Sequence, residues 1–168
     1  MDISPTALLV DDCERVYVSG CGGNTNQNRN ISLSNPNISG LPVTADAFQM
    51  GTSGGGDFYF FVLEKNASGQ LFGSYFGGTA AEHVDGGTSR FDQRGIVYQA
   101  ICASCGGGSF PSSGGFSASS GSNNCNVGLV KLDIGLAITN VELDAFPSAT
   151  GCVPLTVSFQ SVLEDVSQ

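Results

Sequence analysis

Apolar and polar residues alternate with a period of two along most of the chain. ALLVDDCERVYVSG (Ala7–Gly20) predicts a strand, a tight turn over Asp11–Glu14 and a second strand. DFYFFVLEKNASGQLFGSYFGG (Asp57–Gly78) repeats the pattern: extended from Phe58 to Glu64, a turn at NASG, and extended again from Gln70 to Phe76. A third hairpin is predicted in HVDGGTSRFDQRGIVYQAI, turning at Asp92–Gly95, and a further strand over Val127–Ile134. Phe58, Tyr59, Phe60 and Phe61 run consecutively, which marks a strand buried on both faces. Loops rich in Gly, Ser and Asn separate these elements, at Gly22–Gly40, Gly51–Gly56 and Gly106–Asn126. The first is long for a loop within one domain, so it is expected to be functional or mobile. No window sustains a period of 3.6 residues. The fold class predicted is all-β, built from antiparallel four-stranded units.

The pattern also repeats. VYVSG, then LPVTADAF (Leu41–Phe48), then DFYFFVLEKNASG form a first copy. VYQAI, then FPSSGGF (Phe110–Phe116), then NVGLVKLDIG form a second, which lacks the loop NQNRNISLSNPNISG. A four-stranded unit with an apolar face cannot bury that face alone, so duplication and stacking follow. The expectation is two propeller-blade-like units, at about 7–78 and 83–136. Two blades do not close a ring, so an incomplete propeller or a two-sheet sandwich is expected, self-associating through its open blade edges.

Composition narrows the setting. Of 168 residues, 24 are Gly and only 12% are charged, which argues against a helical protein. Six basic against fifteen acidic residues leave a net charge of −9, a surface that repels phosphate backbones and anionic lipid. Neither nucleic-acid binding nor membrane insertion is expected, since no stretch approaches the roughly 20 apolar residues of a membrane span. Six cysteines fit an oxidising compartment better than the cytosol. MDISPTALLVDD lacks a basic n-region, so a secretory signal would lie upstream of this sequence.

Three groups of residues could carry chemistry. Cys102 and Cys105 form a CxxC, with Cys125 and Cys13 elsewhere. These four could hold zinc, but structural zinc usually takes two short-spaced pairs. Two disulfides are the preferred reading, Cys105–Cys125 and Cys13–Cys102, leaving Cys21 and Cys152 over. No helix follows the CxxC to lower a thiol pKa, which argues against a redox role. The lone histidine, His83, lies close in sequence to Glu82, Asp85, Ser89 and Asp92, so an acid–base or Ser–His–Asp arrangement is constructible. Against it stand the missing nucleophile elbow and the histidine's place in a connecting loop. Calcium is the most reasonable cation, with Asp11, Asp12 and Glu14 in one turn and Asp85 and Asp92 in DGGTSRFD as candidate oxygen ligands. Ordinary turn chemistry explains the same residues. Sequons at Asn30, Asn37 and Asn66 mark surface loops in a eukaryotic secretory protein and mean little in a bacterial one.

DDCERVYVSG, LPVTADAF and DFYFFVLEKNASGQLFGSYFGG, followed by FDQRGIVYQA, FPSSGGF and NVGLVKLDIG, resemble the repeats of a bacterial β-propeller family. Those units read D-x-x-G-x-V-Y-V-S-G, then P, D-A-F, D-x-F-x-x-K-L and Y-x-x-Y-x-G-G. The likeness is to large secreted and cell-surface proteins of the Bacteroidetes type, where such propellers often precede PKD (immunoglobulin-like) modules. ITNVELDAFPSATGCVPLTVSFQ (Ile138–Gln160) resembles the opening of a PKD module, placing a truncated one at 137–168. A full sandwich of that kind needs about seven strands and roughly 100 residues, so a fragment of a longer protein is expected. The resemblance implies a non-catalytic module of a secreted or cell-surface protein, acting in adhesion, display or spacing on an extracellular polymer or protein ligand. The alternative is a small calcium-dependent hydrolase of an ester, lactone or glycoside, resting on His83 and its carboxylate neighbours.

Overall fold

The computed structural model describes residues 3–22, 38–54, 56–84, 89–92, 94–111 and 123–136. Eight strands form two antiparallel sheets, and the described residues contain no α-helix. Sheet one is a meander of β1 (Ile3–Val10), β2 (Val16–Gly22), β3 (Phe58–Leu63) and β4 (Gln70–Phe76), each hydrogen-bonded to the next. Sheet two centres on the long strand β7 (Ile96–Cys105). From Ile96 to Ala103 it pairs with β8 (Asn126–Asp133). Two short strands share its other edge: β5 (Ala81–His83) opposite Cys105–Cys102 and β6 (Ser89–Phe91) opposite Gln99–Val97.

All three predicted hairpins and the later strand form. What the periodicity did not announce is β5, which is too short to show a period, and the pairing of β2 with β3. That pairing runs from Val16↔Leu63 to Cys21↔Phe58.

The sheets pack face to face. Tyr17, Cys21, Phe58, Phe60, Val62 and Phe72 of sheet one meet Val97, Ile101, Ala103, Val130 and Leu132 of sheet two in one core. Strand parity sends Tyr59 and Phe61 the other way, where with Ile38, Leu41, Val43 and Tyr75 they form a second, smaller cluster. The run of aromatics in β3 is thus buried on both faces, as its sequence predicted. The segment 38–49 covers that second face and is pinned by two phenols. Tyr75 Oη donates to the Ile38 carbonyl at 2.6 Å and accepts the Leu41 N–H at 2.8 Å, and Tyr59 Oη donates to the Pro42 carbonyl. The same segment closes the free edge of β4. Thr44 N–H donates to the Gly73 carbonyl at 3.0 Å, and Tyr75 N–H donates to the Gln49 carbonyl at 3.1 Å. A covered edge cannot template pairing with another chain.

The two sheets share one turn design. Asp11 Oδ1 accepts the N–H groups of Cys13 and Arg15 at 3.0 and 2.9 Å, and Asp92 Oδ1 accepts those of Arg94 and Ile96 at 2.9 and 3.0 Å. The fourth residue of each turn has positive φ, 58° at Glu14 and 78° at Gly95, a conformation glycine adopts without a Cβ clash. Two sheets do not close a propeller. The long loop falls mostly outside the described residues, as do Asn30, Asn37 and the segment 137–168 expected to open a PKD module.

Candidate functional site

The histidine cluster does not converge. Gln99, Ile101 and Ala103 of β7 face the core, so Tyr98, Ala100 and Cys102 face away from it. His83 pairs opposite Cys102 and lies on the outer face, where its Nδ1 sits 3.9 Å from Cys105 Sγ. Glu82, its neighbour in β5, turns inward and is fully buried. Ser89 pairs opposite the buried Gln99 and is itself buried. Alternation along these strands therefore puts His83 on one side of sheet two and both Glu82 and Ser89 on the other. Asp92 is held in its turn, with Oδ2 3.0 Å from Arg94 Nη2, and Asp85 lies outside the described residues.

The acidic turn is likewise committed to the fold. Asp11 Oδ2 accepts from Arg15 Nε at 2.6 Å and from Tyr17 Oη at 3.1 Å, and the Asp11–Arg15 pair is almost completely enclosed. Burial raises the Tyr17 phenol pKa above its ordinary range against the opposing charge of Arg15. Glu14 reaches Lys65 instead of its neighbours, and Asp12 is exposed. No group of three metal-ligating side chains gathers among the described residues.

Cys105 and Cys125 are joined in a disulfide. The Cys13–Cys102 pairing is not made: Cys13 is in a disulfide, whereas Cys102 remains a thiol, as does the buried Cys21. The reason is placement. Cys13 lies in the β1–β2 turn of sheet one, and Cys102 lies mid-strand in sheet two. With Cys105 and Cys125 oxidised together, the four-cysteine zinc arrangement is lost as well.

Two features escaped the sequence reading. The first is a pair of buried carboxyls where sheet one passes into sheet two. Asp57 accepts Ser53 N–H at 2.7 Å and Ser53 Oγ–H at 3.0 Å, and Glu82 Oε2 accepts Gly78 N–H at 3.1 Å. Glu82 Oε1 has no hydrogen-bond partner. A Cβ on Gly77 would come within 2.1 Å of Asp57 Oδ1, so glycine there makes room for the acid. Burial, helped by the nearby Asp57 charge and opposed by the Gly78 and Ser104 N–H groups, pushes the Glu82 pKa up to about 7. Burial raises Asp57 too, against the hydrogen bonds from Ser53. Both groups are buried, so their protonation acts on stability.

The second feature is the outer face of sheet two. Tyr98 stands at its centre with Arg90 directly opposite in β6 and Lys131 directly opposite in β8, a row across three strands. Lys131 Nζ lies 5.8 Å from the Tyr98 ring centroid, and Arg94, drawn mainly to Asp92, also interacts with the Tyr98 phenol. Val127 and Leu129 extend the face along β8 at 87% and 84% exposure, far above what an isolated surface residue needs. A shallow groove of about 340 Å³ runs here, lined by Arg90, Tyr98, Ala100, Leu129 and Lys131 with the edges of Gln99 and Val130. GIVYQ and VGLVKLD showed this only as period-two strands, because periodicity does not say which face will be covered. No protein-family model, no curated protein and no solved structure matches this chain.

Proposed function

We propose that the chain is a non-catalytic extracellular binding or adhesion module of a secreted or cell-surface protein, and that the outer face of sheet two does the binding. The observation that carries this reading is an asymmetry of cover. The β3–β4 part of sheet one is packed on both faces, by sheet two and by segment 38–49, and Leu8 and Val10 of its edge strand β1 are exposed, whereas the middle of sheet two presents Tyr98, Val127 and Leu129 to solvent among the described residues. Exposed apolar and aromatic side chains gathered on one rigid sheet favour contact with a ligand over solubility. The Cys105–Cys125 disulfide and the bonded Cys13 favour an oxidising compartment. Among the described residues strand β8 pairs only with β7, and we propose that copies self-associate through its other edge.

The hydrolase alternative draws no support from the geometry, because His83 shares its face with neither Glu82 nor Ser89. The test has two arms. Purified protein is assayed on activated esters, lactones and aryl glycosides with calcium, with chelator, and as His83→Ala. In parallel, its retention on immobilised extracellular polymers is compared with that of Tyr98→Ala. Retention that depends on Tyr98, without turnover, is the expected result. Turnover lost with both chelator and His83→Ala overturns the reading.

A further inference from the structure

The charge distribution points to the kind of ligand. The chain is strongly acidic, yet three of its six basic residues, Arg90, Arg94 and Lys131, gather around one exposed tyrosine. Of the others described, Arg15 is buried against Asp11 and Lys65 pairs with Glu14. The groove lining holds no carboxylate, and the two nearest in sequence to it, Asp92 and Asp133, each accept hydrogen bonds from their own turns. Asp92 binds Arg94 and its own turn, and Asp133 Oδ1 accepts Gly135 N–H at 2.9 Å.

We infer that the Arg90–Tyr98–Lys131 row binds an anionic glycan, one carrying a carboxylate or sulfate on its rings; the inference rests on the binding function proposed above. Three properties of the row fit that chemistry. Arg90 and Lys131 flank Tyr98 across two strand spacings, about 10 Å. Cations on the strands either side of the tyrosine suit a polymer that carries its acid groups on successive sugar units. The Tyr98 phenol lies between them at 39% exposure, a flat apolar surface of the kind that the C–H face of a sugar ring covers. Lys131 Nζ lies 5.8 Å from the centroid of that ring, so an anion drawn to Lys131 is brought next to the tyrosine. The groove is shallow and spans residues of three strands, which suits a polymer better than an enclosed small molecule. An acidic field over the rest of the molecule would repel such a polymer everywhere else, confining it to this row.

The test uses the full chain in affinity electrophoresis and titration calorimetry against polygalacturonate, dextran sulfate and uncharged dextran. The variants are Lys131→Gln, Tyr98→Phe, Tyr98→Ala and the distant control Lys65→Gln. Circular dichroism confirms that each is folded. Retardation by either anionic polymer but not by dextran is expected, weakening with salt. Lys131→Gln should lower affinity about tenfold, the worth of one charge-assisted contact. Tyr98→Phe should bind like the native chain and Tyr98→Ala should not, while Lys65→Gln changes nothing. Equal losses in Lys131→Gln and Lys65→Gln would reduce the effect to diffuse charge and overturn the inference. Binding to dextran that depends on Tyr98 but ignores Lys131 and salt would also overturn it, while leaving the binding face in place. Absence of binding to all three polymers overturns the glycan assignment. The binding reading itself then stands or falls on Tyr98-dependent retention by the immobilised extracellular polymers of the first test.

Discussion

Asp11 and Asp92 hold the same turn in the two sheets: each Oδ1 accepts two backbone N–H groups, from the residues two and four positions ahead. Their surroundings then diverge. Asp11 also carries the enclosed pair with Arg15, whereas the partner of Asp92 is the exposed Arg94. Removing one member of a buried pair strands the other charge. Asp11→Ala should therefore cost about 3 kcal/mol or more, and Asp92→Ala about 1 kcal/mol. Urea denaturation of the two variants checks the difference, and equal losses would contradict it.

Glu14 occupies at φ 58° the place that Gly95 takes at φ 78° in the sister turn. The left-handed conformation strains any residue with a Cβ, and the ion pair with Lys65 is exposed and worth little. Glu14→Gly is expected to be neutral to stabilising, by up to about 1 kcal/mol, despite glycine's greater freedom when unfolded. Gly95→Glu should destabilise, because a Cβ there would lie 2.7 Å from the Tyr17 ring. Thermal melts of both variants give the signs.

Stability should rise as pH falls from 8 to 5. Glu82 has an ordinary pKa of 4.5 in the unfolded chain and about 7 when folded. Between those values the folded state holds a proton that the unfolded state has released. Its contribution is thus complete below pH 4.5, is lost progressively up to pH 7, and is gone above that; Asp57, also raised, adds in the same direction. The loss amounts to about 3 kcal/mol. Glu82→Gln should flatten most of the slope and be the more stable protein at pH 8. A native chain with the same unfolding midpoint at pH 5 and pH 8 would exclude the raised Glu82.

The two sheets are joined through the core by Gln99, whose amide donates to Ser19 Oγ at 2.6 Å. Ser19 Oγ also lies 3.1 Å from Thr6 Oγ1, while Gln99 Oε1 has no partner. Gln99→Met keeps the volume and removes an unsatisfied acceptor, so it should lie within about 1 kcal/mol of the native chain. Gln99→Ala leaves a cavity and should cost about 2–3 kcal/mol. Denaturant midpoints of the pair separate packing from hydrogen bonding.

The Cys105–Cys125 disulfide bridges a sequence separation of 20 residues. Closing a loop of that size lowers the entropy of the unfolded chain, worth about 3 kcal/mol. The double variant Cys105→Ser/Cys125→Ser should melt lower by that amount and still show the strand spectrum of the native chain. Loss of all β signal would mean that the bond is needed for folding itself.

The class of fold was legible in the sequence because strand patterning is local. Phe58–Phe61 announced a strand covered on both sides, NASG and DQRG announced turns, and the glycine-rich spacing left no room for helices. The repeated aspartate turns could be read for the same reason, since every contact they make lies within four residues. The constellation around His83 misled because closeness along a strand is not closeness in space: with a period of two, Glu82 and His83 point to opposite faces. Cysteine pairing was only partly legible, because it depends on how distant segments meet. The open row at Tyr98 was legible only in part. Arg90 and Tyr98 lie on the two arms of one predicted hairpin, but Lys131 is distant in the chain, and only the pairing of β8 with β7 aligns it with them. Which sheet face is covered and which is left to solvent is decided by the packing of one sheet against another, and that is a property of the tertiary structure alone.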